Sequence, residues 1–122
     1  MTMQVLASDS AELSQEFGIT VGRWDQYRAA QGLPFGAMWC VIPPGGRSNV
    51  DQHPDRELFV VVGGSAEVRV PSGPSTMAPA GTAVLMDSQE PHVLVNRSDR
   101  EPLVALSLYW MPDGEAAGDT AG

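Results

Sequence analysis

The chain contains very little cysteine, few basic residues and no long apolar run, and each scarcity excludes a class of protein. Seven basic residues stand against fifteen acidic ones, and the net charge of -8 would repel phosphate backbones and anionic membrane surfaces. No apolar stretch approaches the roughly 20 residues that span a bilayer. We therefore expect neither a nucleic-acid-binding protein nor a membrane protein.

The scarcity of cysteine also indicates a compartment. Cys40 is the only cysteine, so the chain cannot form an internal disulfide. Residues 1–4 lack the basic and apolar segments of a secretory signal. We therefore expect a reducing, cytoplasmic setting. Cys40 lies in an apolar segment, which favours a buried packing thiol over a nucleophile.

The length and the turn residues favour one domain of mainly β structure. A chain of 122 residues suffices for one core and is too short for two. Thirteen glycines and ten prolines separate short apolar runs, which is typical of strands joined by turns. We divide the sequence into an N-terminal arm (1–35), a β barrel (36–111) and an acidic tail (112–122) that we expect to be disordered.

Short β-branched and apolar segments predict the strands of the barrel. They cover residues 36–42, 58–62, 65–70, 82–86, 92–96 and 103–111. Gly63 and Gly64 separate the second segment from the third and predict a hairpin. In the arm, the composition of residues 10–17 allows a short helix that ends at Gly18.

The segment Leu58–Val62 is apolar on both faces. A small barrel covers only the inward face, so the N-terminal arm or another subunit must bury the outward one. Two-fold dimers are the commonest closed oligomers. We therefore expect a homodimer joined through this sheet.

The first of the two histidines lies in a segment with regularly spaced glycine and carboxylate residues. The segment reads Gly45-(x)5-Asp51-x-His53-(x)3-Glu57-(x)6-Gly64. Asp51 and His53 are two residues apart, so they project from the same face of an extended segment. Three candidate metal ligands therefore lie within seven residues.

The second histidine lies in a segment of similar design. It reads Gly81-(x)5-Asp87-x-Gln89-(x)2-His92-(x)3-Asn96. His92 and Asn96 share a face of the strand. Two imidazoles and one carboxylate on a scaffold with open coordination positions form a ligand set suited to Fe(II), Mn, Ni, Co or Zn.

Together the two segments resemble the two motifs of the cupin family, with every spacing intact over about residues 36–111. Asp51 stands where the family has a histidine, and Asp87 and Gln89 stand where it has proline and glycine. The resemblance implies a mainly β fold, the cupin jelly-roll or double-stranded β-helix barrel. It also implies one divalent metal ion inside the barrel.

The resemblance carries the metal ligands over to His53, Glu57 and His92, with Asp51 as a fourth candidate. Asp51 would make the set two nitrogens and two carboxylate oxygens, and ligand type alone leaves the metal open among Fe, Mn, Ni, Co and Zn. Asp51 and Glu57 are also the candidates for catalytic acid–base groups. The alternative is a metal-free barrel in which all four residues form a hydrogen-bond network and act as acid–base groups.

The same resemblance favours an enzyme that binds a small-molecule substrate in the barrel. Trp39, Met38 and Tyr109 are candidates to line the substrate pocket, because small barrels enclose ligands between facing strands. We expect an isomerase, cyclase, dehydratase or dioxygenase of bacterial specialised metabolism. A non-catalytic binding protein and an accessory protein that pairs with a larger enzyme are the open alternatives.

Overall fold

The computed structural model describes residues 3–71 and 73–112, which form antiparallel strands and three short 3₁₀ turns. The strands are β1 (Ser14–Glu16), β2 (Ile19–Arg23), β3 (Gly36–Ile42), β4 (Arg56–Gly63), β5 (Ser65–Arg69), β6 (Thr76–Pro79), β7 (Ala83–Met86), β8 (Val93–Val95) and β9 (Leu103–Trp110). The 3₁₀ turns are Ser8–Ser10, Trp24–Gln26 and Arg28–Gly32. No helix in this part of the chain is long and apolar enough to cross a membrane. The prediction of a disordered tail falls almost entirely on residues 113–122, outside the described residues.

The strands form two sheets that share one core. The larger sheet has the order β1-β2-β3-β9-β4-β7 and the smaller one the order β6-β5-β8. A single cluster of buried apolar side chains draws on both sheets, from Val21 and Phe59 on the larger to Val68 and Leu94 on the smaller. The predicted mainly β jelly-roll fold is confirmed.

Strand register determines which side chains enter this core. In the centre of the larger sheet, Met38 pairs with Ser107 and Ser107 with Phe59, so these three side chains share a face. All three are buried. The polar Ser107 therefore lies inside the barrel, between apolar neighbours on both adjacent strands.

The predicted hairpin at Gly63 and Gly64 is wrong. Among the described residues β4 pairs with β7 and β9, whereas β5 pairs with β6 and β8, so the chain passes from one sheet to the other at these glycines. Gly64 has a φ of +77°, and a Cβ there would lie 2.6 Å from the carbonyl oxygen of Pro102. The tight crossing therefore requires glycine, as a hairpin would.

The short helix suggested for residues 10–17 is also wrong. Residues 14–16 form β1, which pairs with β2, and Phe17 and Gly18 make the turn between them with φ values of 58° and 78°. Two successive positive φ values are typical of a tight hairpin turn. Ile19 on β2 then enters the core, so part of the expected arm extends the larger sheet.

The outward face of β4 remains partly uncovered in the single chain. β1 and β2 join the sheet beside β3, two strands away from β4, so they do not fold over it. Val62 on β4 and Leu85 on β7 are 51% and 55% exposed. An apolar strip therefore lies open along this edge of the sheet.

Candidate metal centre

Backbone pairing brings the two histidine segments together. Asp51 and His92 form an isolated antiparallel bridge, in which each backbone N–H donates to the other residue's carbonyl at 2.9 and 3.0 Å. His53 follows two residues after Asp51, and Glu57 projects inward from β4. Residues 41 positions apart in sequence therefore meet inside the barrel.

Four potential ligand atoms converge at this point. One ligand atom from each of Asp51, His53 and His92 lies within 4.8 Å of the other two. The Oε1 atom of Glu57 lies 3.1 Å from His53 Nε2 and 3.7 Å from His92 Nε2, and Asp51 Oδ2 lies 3.7 and 4.0 Å from the same two nitrogens. Metal bonds of about 2.1 Å separate neighbouring ligand atoms by about 3.0–3.5 Å, so the cluster is slightly wider than a coordination shell.

The second ring nitrogen of each histidine is already occupied. His53 Nδ1 lies 3.0 Å from the Asp55 carbonyl oxygen, and His92 Nδ1 lies 2.9 Å from the Glu90 carbonyl oxygen. A carbonyl oxygen only accepts, so each Nδ1 carries the proton and donates it. In a neutral imidazole the Nε2 lone pair is then free, and this hydrogen bonding is typical of metal-bound histidine. The donor set therefore fits a divalent metal ion.

Ser107 fixes the carboxylate of Glu57, and the sequence analysis did not identify it. Its Oγ donates to Glu57 Oε2 at 2.6 Å, and both residues are buried. The bond leaves Oε1 facing the histidines. The only signal in the sequence is a serine among the apolar residues of the last strand, which becomes informative once the register is known.

Asn96 fixes the loops around the barrel end instead of entering the site. Its buried amide nitrogen lies 3.0, 3.2 and 2.9 Å from the carbonyl oxygens of Ile42, Pro43 and Glu101, so these three acceptors share its two N–H donors. Its side-chain oxygen accepts from the backbone N–H of Ser98 at 3.1 Å. The residue that completes the second motif therefore has a structural role.

A cavity of about 230 Å³ opens beside the cluster. Asp51, His53 and Glu57 form one part of its wall, and Met38 and Tyr109 form another. The site therefore borders a space in which a small molecule can reach it.

Trp39 does not line this cavity, so the expectation for it is not met. It follows the inward-facing Met38 on β3, and alternation therefore turns its side chain to the opposite face. There its ring centroid lies 5.5 Å from that of Trp24, and its Nε1 donates to the hydroxyl of Tyr27 at 3.1 Å. The structure assigns Trp39 to packing.

Arg23 is a cavity residue that the sequence analysis did not identify. It faces inward at the end of β2, where it lies opposite Met38. Its guanidinium forms an ion pair with Glu16, and this hydrogen bond holds the pKa of the Glu16 carboxyl below its usual range. Only the long-range pairing of β2 with β3 shows which way Arg23 projects.

Cys40 is a buried packing residue, as its sequence context indicates. Its side chain is almost fully enclosed. Burial above all, and then the negative charge of Glu57, raise the pKa of its thiol well above the usual range. A thiol that stays protonated is a poor nucleophile.

Fold and site together define a β jelly-roll barrel with a histidine–carboxylate cluster on its inner wall. The chain belongs to the cupin family, since the family model described as a cupin domain matches residues 38–109. The resemblance seen in the two motifs is thereby confirmed. No curated protein sequence matches the chain.

Solved structures share the fold at low sequence identity. A cupin 2 conserved barrel domain protein from Salinispora arenicola is 24% identical, with a TM-score of 0.80, and all of each chain is covered. A protein from Photorhabdus luminescens is 22% identical, with a TM-score of 0.74, over 97% of this chain and 94% of the other. The polyketide cyclase RemF from Streptomyces resistomycificus is 18% identical, with a TM-score of 0.71, over 88% and 79%.

Proposed function

We propose that the chain is a metal-dependent enzyme that acts on a small organic molecule inside the barrel. The observation that supports this most strongly is the convergence of two Nε2 atoms and two carboxylates beside an open cavity. An ion held there would supply Lewis-acid polarisation of a substrate oxygen. Fe, Mn, Ni, Co and Zn all suit the donor set, and isomerase, cyclase, dehydratase and dioxygenase chemistry all stay within the proposal.

The four residues differ in how firmly they are held. Glu57 is buried and bonded to Ser107, whereas the Asp51 side chain is 26% exposed and lies farther from both histidines. We therefore assign His53, His92 and Glu57 as the ligands. Asp51 is the group that either completes the shell or exchanges protons with a substrate in the cavity.

The competing arrangement is a metal-free network. A protonated His53 would donate from Nε2 to Glu57 across the same 3.1 Å. In that case the residues would act as acid–base groups without an ion. The two arrangements differ in metal content, which can be measured.

The test is elemental analysis of the purified protein and four variants. We expect about one equivalent of metal in the unmodified protein and a large loss in His53→Ala and His92→Ala, because each removes one of three or four ligands. Asp55→Asn is the matched control, since this carboxylate lines the cavity but is not one of the four candidate ligands Asp51, His53, Glu57 and His92. Asp51→Asn distinguishes a ligand, whose loss lowers metal content, from a general base, whose loss lowers turnover alone.

Full metal content in both histidine variants would contradict the assignment. Catalytic activity in unmodified protein without metal would favour the metal-free network.

The buried, unpaired thiol of Cys40 supports the further proposal of a cytoplasmic setting, because such thiols persist in reducing compartments.

A further inference from the structure

A chain of hydrogen bonds runs from Glu16 through Arg23 to Tyr109, and the last two of these residues line the cavity. The guanidinium donates to Glu16 from Nη2 at 2.7 Å and from Nε at 3.0 Å, which is a two-point contact. Its Nη1 donates to the hydroxyl oxygen of Tyr109 at 3.0 Å. Arg23 is therefore fixed by Glu16 and in turn orients the phenol.

The hydroxyl hydrogen of Tyr109 is left free to donate. A guanidinium N–H only donates, so the phenol oxygen must accept in this contact. Among the described residues, no acceptor takes the hydrogen bond that Tyr109 itself can donate. Burial raises the pKa of Tyr109, so the phenol stays protonated. The cavity wall therefore carries one unused donor.

The position of this donor is fixed by packing. The Tyr109 ring lies against Gly36, where the Cβ of any other residue would collide with it. Tyr109 also pairs with Glu57 across β9 and β4, so the two side chains share a face of the sheet. The free hydroxyl and the metal cluster therefore border the same cavity.

The charges around the cavity disfavour an anionic ligand. Glu16 offsets Arg23, and a divalent ion would offset Asp51 and Glu57. The carboxylate of Asp55 then remains without a counter-charge among the cavity-lining residues. A carboxylate or phosphate ligand would meet net repulsion, whereas a carbonyl or hydroxyl oxygen would not.

We propose that Tyr109, positioned by Arg23, binds the substrate by donating a hydrogen bond to its carbonyl oxygen, while an ion held by His53, His92 and Glu57 would be available to a second oxygen of the substrate. The substrate class is a small uncharged molecule with two oxygen functions, such as a hydroxyketone. This proposal rests on the proposed function. It goes further by assigning a specificity-determining residue outside the ligand set.

The test measures binding of three probes by calorimetry, with and without one equivalent of Zn²⁺. The neutral probe ortho-hydroxyacetophenone has the carbonyl oxygen, ortho-ethylphenol lacks it, and salicylate replaces the ketone with a charged carboxylate. Tyr109→Phe should weaken the ketone roughly 3- to 10-fold, the value of one hydrogen bond, and leave ethylphenol unchanged. Tyr27→Phe is the matched control, because Tyr27 contacts Trp39 on the outer face.

A double-mutant cycle with Tyr109 tests whether Arg23 acts as a positioning residue. Arg23→Gln should weaken ketone binding in the unmodified background and cost nothing further in the Tyr109→Phe background. A purely structural role would weaken all probes in both backgrounds.

Three outcomes would each overturn the proposal. The unmodified protein and Tyr109→Phe could bind the ketone equally well, or the Zn²⁺-loaded protein could show no detectable ketone binding. Alternatively, the unmodified protein could bind salicylate more tightly than the ketone. Metal content is measured separately on the same samples. A protein without metal in which Tyr109 still discriminates the ketone would count against the proposed function and against the contact between the second oxygen and the ion, and would leave the role of Tyr109 in place.

Discussion

Replacing Ser107 with alanine isolates the contact that holds Glu57 in the candidate metal centre. The substitution removes one hydroxyl and leaves a buried carboxylate oxygen without its donor. Alanine fits the space, since it is smaller and Ser107 packs between Met38 and Phe59. The expected effect therefore comes from the lost hydrogen bond and not from a steric clash.

The structure gives the magnitude. The bond is short, at 2.6 Å, fully buried, and made to a carboxylate. Hydrogen bonds to charged groups contribute about 1.5–3 kcal/mol, so we expect the unfolding free energy of the metal-free protein to fall by that amount. With an m-value of about 2 kcal/mol per molar urea, the midpoint falls by about 1 M. Metal affinity should fall roughly 10- to 100-fold, as for other partners of metal ligands.

The assay is urea unfolding followed by tryptophan fluorescence, at one fixed protein concentration and after removal of metal. Ser14→Ala is the matched control, because Ser14 also donates to a carboxylate, that of Glu16, but on the surface at 3.2 Å. Its loss should change the unfolding free energy by less than about 0.5 kcal/mol. An equally small change in Ser107→Ala, with unchanged metal affinity, would refute the role assigned to this serine.

Three other predictions concern stability, reactivity and assembly. Asn96→Ala should lower the unfolding free energy by roughly 2–4 kcal/mol in the same assay, because it removes a buried amide whose two N–H donors are shared by three carbonyl oxygens. An unchanged midpoint would refute this role. Iodoacetamide should leave Cys40 unmodified in the native protein and modify it after unfolding, as read by mass spectrometry, because burial keeps the thiol protonated; rapid native labelling would contradict its buried position. The homodimer stays a prediction, and aspartate at Val62 or Leu85 should convert it to a monomer in sedimentation experiments, since both side chains lie exposed on the outward face. A single species of 13.0 kDa for the unmodified chain across a wide concentration range would contradict it.

Much of the fold follows from local sequence. The strand Gly36–Ile42 has the predicted bounds, because the prolines that follow Ile42 end the apolar segment and mark its limit in the sequence. The strands that pair with β4 and with β5 were not predictable in this way. Two glycines between apolar strands suit a hairpin and a crossing between sheets equally, and only the long-range strand pairing of the folded chain distinguishes them.

The residues of the candidate site were likewise only partly predictable from the sequence. Motif spacing identified Asp51, His53 and His92, since the bridge between the two segments preserves that spacing in space. Ser107 and Arg23 were not found, because their roles depend on which residue lies opposite them on another strand. No local sequence pattern determines the register between two strands that are distant in the sequence.

The most direct test of the central claim is a crystal structure with diffraction recorded at metal absorption edges, after the protein has been offered Mn²⁺, Fe²⁺, Co²⁺, Ni²⁺ and Zn²⁺ in turn. We predict one anomalous peak about 2.0–2.3 Å from Nε2 of His53, Nε2 of His92 and a carboxylate oxygen of Glu57. No peak between these atoms with any of the ions, in protein whose histidines keep the geometry described, would contradict a metal-dependent function.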